Sequence, residues 1–337
     1  MRQPGLPYHR YELAARNLLH YLPKEYDAVV RRGRFEVPKE MRVFKDSKGE
    51  DPVEYLTSSP SIVATGDEYL VNIRLVNYDH ERGRWFVARH KDGVIRTENT
   101  LSEGWHPYKY DSSDFPVRIS QTRISESWPK GRILGLEDVR LCRHGVDVWF
   151  TATTCQTPKG GDKSKVVLGN FRSGVFVLEY EHENEYEKNW LPWSIGGKLF
   201  LIYGYEPFVV LEPIESGDAF ECQIARRQTM PFRMARYRGG AAPVNVGDNR
   251  WLMLIHEVAH RDNDNVYLHR FIELDESAML PTRVSEAFTF HHQGVEYAAG
   301  MARNGKNLIV TYGAEERESH WCEVDPGKIR WMPPAEK

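Results

Sequence analysis

The stretch Gly135–Thr154, GLEDVRLCRHGVDVWFTATT, shows a pattern that recurs five times in this chain. A polar cluster leads into a short strand, a turn on Gly, Asp or Asn follows, and an apolar strand returns to polar residues. The copies begin roughly 50 to 75 residues apart, which is near the range for the blades of β-propellers. They are Ser59–Asn77, Gly135–Thr154, Glu187–Pro207, Tyr237–His260 and Gly294–Arg317.

Five units of this kind predict an all-β chain that folds as a five-bladed β-propeller. Because the innermost strands of a propeller converge on one axis, the polar clusters of the five units would meet in one central pocket. The strands are predicted from short runs of β-branched and aromatic residues between turn signals. The candidates are Ser61–Thr65, Tyr69–Val76, Trp85–His90, Val146–Thr153, Val175–Tyr180, Lys198–Tyr203, Phe208–Glu212, Trp251–Glu257, Val266–Leu274 and Leu308–Tyr312.

The segment before the repeats has a different pattern. Leucines recur at loosely helical spacing between Tyr8 and Arg32, and Pro23 interrupts them. We therefore expect a short N-terminal helical extension and lead-in over residues 1–56, followed by the propeller as a catalytic domain over residues 57–337. The helical extension is a candidate interface for a homo-oligomer.

Charge and hydropathy restrict the class of partner. The chain has 45 Lys+Arg and 48 Asp+Glu. This near balance gives no electrostatic reason to expect nucleic acid or an anionic membrane as a partner. It has neither a run of 18 apolar residues nor an apolar region at its N-terminus, and we expect a cytoplasmic protein without a membrane partner. Four separate cysteines without a CxxC pair give no zinc or redox motif.

Several motifs together resemble glycoside hydrolase family 130, a family that acts on β-mannosides. GLEDVRL is similar to the family's G-(V/I)-E-D-P-R motif. The other matches are EKNWLPW with GGKLFLIY (Glu187–Tyr203), RGGAAPVNVGDNRWLMLIHEV (Arg238–Val258) and GVEYAAGMARNGKNLIVTYGAEE (Gly294–Glu316). Their order and spacing agree over most of the repeat region. The resemblance, which extends to glycosyltransferase family 108, implies a five-bladed propeller that works as a hydrolase, phosphorylase or mannosyltransferase.

The resemblance also implies roles for particular residues. Asp138 would be the proton donor of an inverting single displacement, and the base in the synthetic direction. The reaction needs neither metal nor cofactor, although phosphate or a nucleotide-sugar donor would enter as co-substrate. The other substrate would be an oligosaccharide or a sugar phosphate. The residues expected to bind the sugar or the anion are Arg74, Glu137, Arg140, Lys188, Asn189, Arg238 and His256.

The chain departs from the family pattern in ways that affect the second reactant. Val139 replaces the proline of the motif, and Tyr203–Pro207 replaces a His-Arg-Pro sequence. Glu206 and Glu257 are predicted near the anion site, where a carboxylate would repel phosphate. With Glu296, they are candidate pocket carboxylates or bases, and the resemblance places a further acid near Glu315 or Glu316. Phosphate, water and a sugar hydroxyl therefore all remain open as the second reactant.

Two readings of other classes compete with the glycosidase. His256–His260 reads HExxH, which on a helix would hold zinc for peptide hydrolysis. The preceding run reads as a strand, however, and the segment is in register with the fourth repeat. The other alternative is a propeller that binds glycans or a protein without catalysis, because a fold does not by itself imply a reaction.

Overall fold

The computed structural model describes residues 22, 26–45, 52–79, 87–107, 117–119, 133–157, 163–181, 184, 186–261, 264–291 and 293–333. Within these ranges the chain is all-β, with two short 3-10 helices at Lys39–Met41 and Pro326–Lys328. The first strands are β1 Val29–Arg34, β2 Val43–Phe44, β3 Val53–Glu54, β4 Leu56–Ala64, β5 Tyr69–Val76, β6 Tyr78–Asp79, β7 Val87–Ala88, β8 Ile95–Trp105, β9 Val117–Ile119, β10 Ile133–Leu134, β11 Glu137–His144, β12 Asp147–Thr154 and β13 Lys165–Asn170. The remaining strands are β14 Gly174–Glu179, β15 Leu191–Ile195, β16 Lys198–Tyr205, β17 Phe208–Ser216, β18 Ala219–Gln228, β19 Arg238–Gly239, β20 Val244–Gly247, β21 Arg250–Arg261, β22 Asp264–Asp275, β23 Leu280–Val284, β24 Glu296–Asn304, β25 Asn307–Ala314 and β26 Glu318–Val324.

Each predicted repeat forms an antiparallel strand pair. The pairs are β4–β5, β11–β12, β15–β16, β20–β21 and β24–β25. The turn predicted at Gly196–Gly197 is confirmed. Both glycines lie between β15 and β16 and have positive φ, as a two-residue hairpin requires. The first strands of different units contact one another, since β4 touches β11 and β24, and β11 also touches β15. These strands therefore surround a common space.

The sheets do not divide into five separate units. One sheet has the order β1-β26-β25-β24, a second β10-β8-β5-β4, and a third β19-β21-β22-β23. The second and third repeats share one eight-stranded sheet, because β14 and β18 pair in parallel and join them edge to edge. The prediction of an all-β fold is confirmed for the described residues.

The end of the predicted N-terminal helix is a strand. Val29–Arg34 forms β1 and pairs with β26, and Asp27 and Ala28 lie in a turn, so the prediction of helix up to Arg32 is wrong for Tyr26–Arg32. The reason is tertiary: β26 offers a row of backbone hydrogen-bonding groups, whereas the helical pattern in this segment is weak. Tyr26 also stacks on Phe288, with ring centroids 3.9 Å apart. Apart from Leu22, the part of the predicted helix before Tyr26 lies outside the described residues.

The core consists of apolar side chains packed between neighbouring sheets. In the largest cluster, Phe290 stacks on Tyr312 with ring centroids 4.5 Å apart. The four cysteines are buried, and no disulfide bond joins any two of them. In the part of the chain that the structure describes, no helix has the length and apolar character needed to cross a membrane.

Candidate active site

A polar cavity of about 210 Å³ lies where the first strands of the units meet. Seven of the residues predicted from the sequence line it, and they come from four different repeats. Its lining also contains Glu316, one of the two positions where a further acid was expected, and Ser58, Ser59, Tyr78, Tyr267 and Tyr297, which the sequence had not assigned as site residues. The seven predicted residues are Arg74, Glu137, Asp138, Lys188, Asn189, Arg238 and His256.

Backbone bulges bring adjacent residues into this cavity. Between Glu137 and Arg140 the register of β11 against β12 shifts, so that one residue is extra on β11. Such a bulge interrupts the alternation of side chains across a strand. Asp138 takes a positive φ of 51° at this point, and both Glu137 and Asp138 reach the cavity. The residue after it, Val139, is buried in the core.

A second bulge has the same effect in the first repeat. The register of β4 against β5 shifts between Thr57 and Pro60, which again leaves one extra residue on the inner strand. The consecutive residues Ser58 and Ser59 both line the cavity. The Ser59 hydroxyl donates to Asp138 Oδ1 over 3.2 Å. Two bulged strands thus supply both Asp138 and one of its hydrogen-bond donors.

Arg74 is the buried cation of the site. Its guanidinium donates to Glu137 Oε1, to Asp138 Oδ1 over 3.1 Å and to Thr97 Oγ1 over 2.9 Å. Burial lowers the pKa of Arg74, but the acidic groups around it raise the pKa more, so the group stays charged. Burial raises the pKa of Glu137, and the charge of Arg74 opposes this shift. Arg74 therefore holds two neighbouring carboxyl groups at one wall of the cavity.

Tyr78 and Glu316 extend this network. Burial raises the pKa of Tyr78 well above its ordinary value, so its hydroxyl is protonated and donates to Glu316 Oε2. The same hydroxyl accepts from Arg74 Nη2 over 3.3 Å. Tyr78 lies four residues after Arg74. Because successive side chains of an extended chain point to opposite faces, this even spacing could have predicted that both side chains lie on the same face. Of the two acids noted at the end of the fifth repeat, Glu316 lines the cavity and Glu315 accepts from the backbone of Val295.

Arg140 lies behind the cavity and connects three of its walls. Its guanidinium donates to the Gly240 carbonyl over 2.9 Å, to the Asp138 carbonyl over 2.6 Å and to Asn189 Oδ1 over 2.8 Å. The residue is 1 % exposed, and burial lowers its pKa to about 10, which leaves it charged at neutral pH. A Cβ on Gly239 would lie 2.1 Å from the Asn189 carbonyl oxygen, so the close approach of these walls requires glycine there.

The Lys188–Asn189 pair is held by its neighbours in the sequence. The buried carboxylate of Glu187 accepts from Trp190 Nε1 over 2.9 Å and from the Tyr203 hydroxyl over 3.1 Å. Asn189 has a positive φ of 65°, and its Oδ1 also accepts from the Tyr297 hydroxyl over 2.9 Å. The E-K-N-W sequence therefore works as one unit, in which the outer residues anchor the two that face the cavity.

Two buried histidines lie next to each other on strands β21 and β22, and the first of them lines the cavity. His256 packs against the rings of Tyr267 and Tyr297, and His269 is its cross-strand partner on β22. Burial lowers the pKa of His256 well below the usual range, and the positive charge of Arg238 acts in the same direction. Burial lowers the pKa of His269 to about 4, against the opposing charge of Glu296. Both rings are therefore neutral at pH 7.

We expect these histidines to make the fold sensitive to mild acid. Below about pH 6.5 the unfolded chain gains protons that the buried rings do not, so stability is lost as the pH falls from 6.5 towards the folded-state value near 4. Replacing His269→Phe should reduce the loss of unfolding free energy between pH 7 and pH 5 by about 2 kcal/mol. Urea unfolding at both pH values measures this difference, in which packing effects of the new ring cancel. Equal losses in the parent and the variant would contradict it.

Three of the predicted carboxylates do not line the cavity. Glu257 forms a buried ion pair with Arg270 over 2.9 Å, because successive residues of β21 point to opposite faces and His256 takes the inner one. Glu296 is fully buried and accepts from the backbone N–H of Phe290 over 2.7 Å. Glu206 lies in an adjoining groove and accepts from the Met234 N–H over 3.0 Å.

The HExxH sequence lies on strand β21 and not on a helix. Positions four apart on a strand are about 13 Å apart along the chain, too far for two ligands of one zinc ion. Among the described residues, no group of three or more histidine, cysteine or acidic side chains could hold a metal ion. The geometry thus removes the reason for reading this segment as a metalloprotease motif.

Comparison with known proteins gives matches in structure and not in sequence. No protein-family model matches the chain, and no curated protein matches its sequence. A β-1,2-mannobiose phosphorylase from Listeria innocua superposes with a TM-score of 0.54 at 14 % identity, over 89 % of this chain and 98 % of that one. MPT-4, a mannose phosphorylase from Leishmania mexicana described in complex with a phosphate ion, gives 0.57 at 10 % identity, over 97 % of both chains.

A third structure is described as belonging to the GH130 family of mannoside phosphorylases, with glycoside hydrolases that target β-1,2-mannosidic linkages in Candida mannan. It superposes with a TM-score of 0.55 at 13 % identity, over 93 % of this chain and 95 % of that one. Because all three alignments span nearly the whole of both chains, the similarity concerns the complete architecture. The chain therefore has a fold of the glycoside hydrolase family 130 type.

Proposed function

We propose that this protein is a carbohydrate-active enzyme that cleaves or forms β-mannosidic linkages with inversion, with Asp138 as general acid in cleavage and general base in synthesis. The five repeats would be the five blades of a propeller, and the cavity would lie at their common axis. Support for the substrate class comes from the structural neighbours, which are described as mannoside phosphorylases and hydrolases.

The observation that carries the proposal is the setting of the Asp138 carboxylate. Its Oδ1 accepts from Arg74 and Ser59, whereas Oδ2 has no hydrogen-bond partner among the described residues. The side chain is 22 % exposed and borders the cavity. A general acid needs one fixed and one available oxygen, so that the proton is delivered at a defined position near the glycosidic oxygen.

Arg74 is paired with carboxylates, but the other two cations of the cavity favour an anion as the second reactant. Lys188 and Arg238 face the cavity and form no ion pair with any described carboxylate. The two carboxylates expected to repel phosphate do not do so in this geometry, because Glu257 is neutralised by Arg270 and Glu206 lies outside the cavity. Two cations at one wall suit a phosphate or the phosphate group of a sugar phosphate. We therefore favour phosphorolysis, in which a phosphate oxygen attacks the anomeric carbon as the glycosidic oxygen leaves with the proton of Asp138.

The test is an NMR time course with β-1,2-mannobiose, run with and without phosphate, and with mannose 1-phosphate or GDP-mannose plus acceptor in parallel tubes. We expect α-mannose 1-phosphate to appear only with phosphate. Release of free mannose at the same rate without phosphate would replace phosphorolysis by hydrolysis. Product from GDP-mannose alone would show a transferase, and no turnover of any mannoside would contradict the proposed activity.

A further inference from the structure

Five arginines lie close together in one segment of the chain. Residues 226–238 read RRQTMPFRMARYR, and no aspartate or glutamate occurs between Glu221 and Asp248. The near balance of 45 Lys+Arg and 48 Asp+Glu in the whole chain therefore conceals a local excess of positive charge. Residues 226–238 are called the arginine segment below, and its cations are Arg226, Arg227, Arg233, Arg236 and Arg238.

The apolar side chains of the arginine segment anchor it between the end of β18 and the start of β19. Met234 is buried in a core cluster, and three more residues of the segment pack against the same cluster: Met230, Phe232 and Tyr237. The Glu206 carboxylate accepts from the Met234 N–H over 3.0 Å, and the Tyr237 N–H donates to the Met234 carbonyl over 3.0 Å. A segment that is fixed in this way loses little conformational freedom when a partner binds to it.

The arginines remain on the outer side of this anchored segment. Those of them that are exposed form no ion pair with a carboxylate within the ranges that the structure describes: Arg226, Arg227, Arg233 and Arg238. On β17 the cross-strand neighbours of Arg226 and Arg227 are Val210 and Val209, which carry no charge. The cross-strand neighbour of Arg238 is His256, whose ring is neutral at pH 7. Like charges on one segment repel one another, and an anion with several charges would relieve this repulsion.

The arginine segment borders the approach to the central cavity. A groove of about 750 Å³ beside the cavity is lined by Lys188, Arg227 and Arg238 among others. Lys188 and Arg238 line the cavity as well, so the two spaces meet at these cations. The carboxylates of the groove, Glu187 and Glu206, are held by hydrogen bonds within the protein. Cations thus follow the segment from its outer residues to the mouth of the cavity.

The chemistry of this surface suits phosphate groups. Arginine binds phosphate through two parallel hydrogen bonds, and several arginines together bind a chain of phosphate groups more tightly than one of them binds a single ion. A membrane fits less well, because no large apolar side chain of the segment is exposed to enter the lipid. Single-stranded nucleic acid needs exposed aromatic rings for its bases, and the two rings of the segment, Phe232 and Tyr237, are half-buried.

We infer that the arginine segment binds a soluble chain that carries several phosphate groups, and that it holds this chain at the mouth of the central cavity. Such binding needs no turnover and is separate from the proposed function. Because the cations are exposed, the affinity should fall steeply with salt. The screening length decreases from about 10 Å at about 0.1 M NaCl to about 3 Å at about 1 M.

The experiment is titration calorimetry of the full chain with a short linear polyphosphate as the probe. The double variant Arg226→Gln/Arg233→Gln removes two charges at exposed positions that line neither the cavity nor the groove. Its affinity at low salt should be about tenfold lower, because each exposed charge pair contributes a few-fold. Arg143→Gln/Lys306→Gln removes two exposed charges from β11 and the β24–β25 turn. This matched control should change the affinity by less than about twofold.

A further variant tests the position of the chain at the cavity. Arg227→Gln removes a charge from the lining of the groove and should weaken polyphosphate binding about threefold. Parent affinity in this variant would overturn the placement of the chain at the mouth of the cavity.

The outcomes separate this surface from the catalytic proposal. Lower affinity in the variants of the arginine segment but not in the control, with loss of binding at high salt, supports the surface even if the NMR assay detects no reaction. Equal losses in the two double variants would attribute the binding to net charge and overturn it. Three further probes are polyglutamate, a single-stranded oligonucleotide of equal charge and phosphatidylglycerol vesicles. Tighter binding of any of them than of polyphosphate would overturn the assignment in favour of an acidic protein, a nucleic acid or a membrane.

Discussion

Replacing Asp138→Asn is expected to reduce the rate of mannoside turnover about 10²–10⁴-fold, the usual contribution of general acid–base catalysis. The amide has nearly the shape of the carboxyl group but cannot deliver or accept the proton. Its oxygen can still accept from Ser59 and Arg74, and asparagine tolerates the positive φ of 51° at this position. The fold and the affinity for sugar should therefore change little.

The measurement is kcat/KM for mannobiose with saturating phosphate, together with sugar affinity by calorimetry. Asp147→Asn is the matched control, because Asp147 makes only a surface ion pair with Arg172 at the start of β12. We expect this control to keep the parent rate. A parent protein that binds mannosides without turnover, and an Asp138→Asn variant with the same affinity, would instead favour the non-catalytic binding propeller.

Replacing Arg140→Met is expected to lower the free energy of unfolding by about 2–4 kcal/mol, because it leaves several buried acceptors without a donor. The groups concerned are the carbonyl oxygens of Asp138, Gly239 and Gly240. Asn189 Oδ1 would lose one of its two donors and keep the Tyr297 hydroxyl. Methionine fills part of the volume, so the loss is mainly one of hydrogen bonding. Activity should fall at least about 100-fold as well, since a displacement near 1 Å of catalytic groups has an effect of that size.

Urea unfolding and kcat/KM, both measured where the variant is folded, test this expectation. Arg143→Met, on the same strand, is the matched control, since Arg143 is exposed and its one side-chain hydrogen bond, to Gly145, is 3.4 Å long. Parent-like stability in Arg140→Met would mean that its hydrogen bonds are replaced by water. Loss of stability with full activity would show that Asp138 is positioned without Arg140.

The repeated pattern was sufficient to predict the strand pairs and seven of the residues that line the cavity. Turn signals such as Gly196–Gly197 are local, and apolar runs such as Trp251–Glu257 bury their side chains in any arrangement of the sheets. The polar clusters at equivalent points of the repeats were expected to meet. Arg74, Asp138, Lys188 and the other lining residues do meet, because equivalent strands surround one space.

Other features depend on contacts between distant parts of the chain. Val29–Arg34 is a strand only because the edge of β26 is available for pairing. Glu257 has a suitable chemical type and lies next to His256, but Arg270 on the neighbouring strand neutralises it on the other face. Tyr78 and Tyr297 belong to the site because their hydroxyl groups donate hydrogen bonds to residues far away in the sequence. The acceptors are Glu316 and Asn189, respectively.

By itself, the sequence determined that the chain is all-β, where its repeats turn, and that seven of its polar residues would face a shared space. Only the tertiary structure decided how these residues are oriented. The bulges in β4 and β11 place Ser58 with Ser59, and Glu137 with Asp138, on one face, although simple alternation would separate each pair. The physical reason is that a bulge is a mismatch in length between two paired strands, so it exists only once both strands and their register are present.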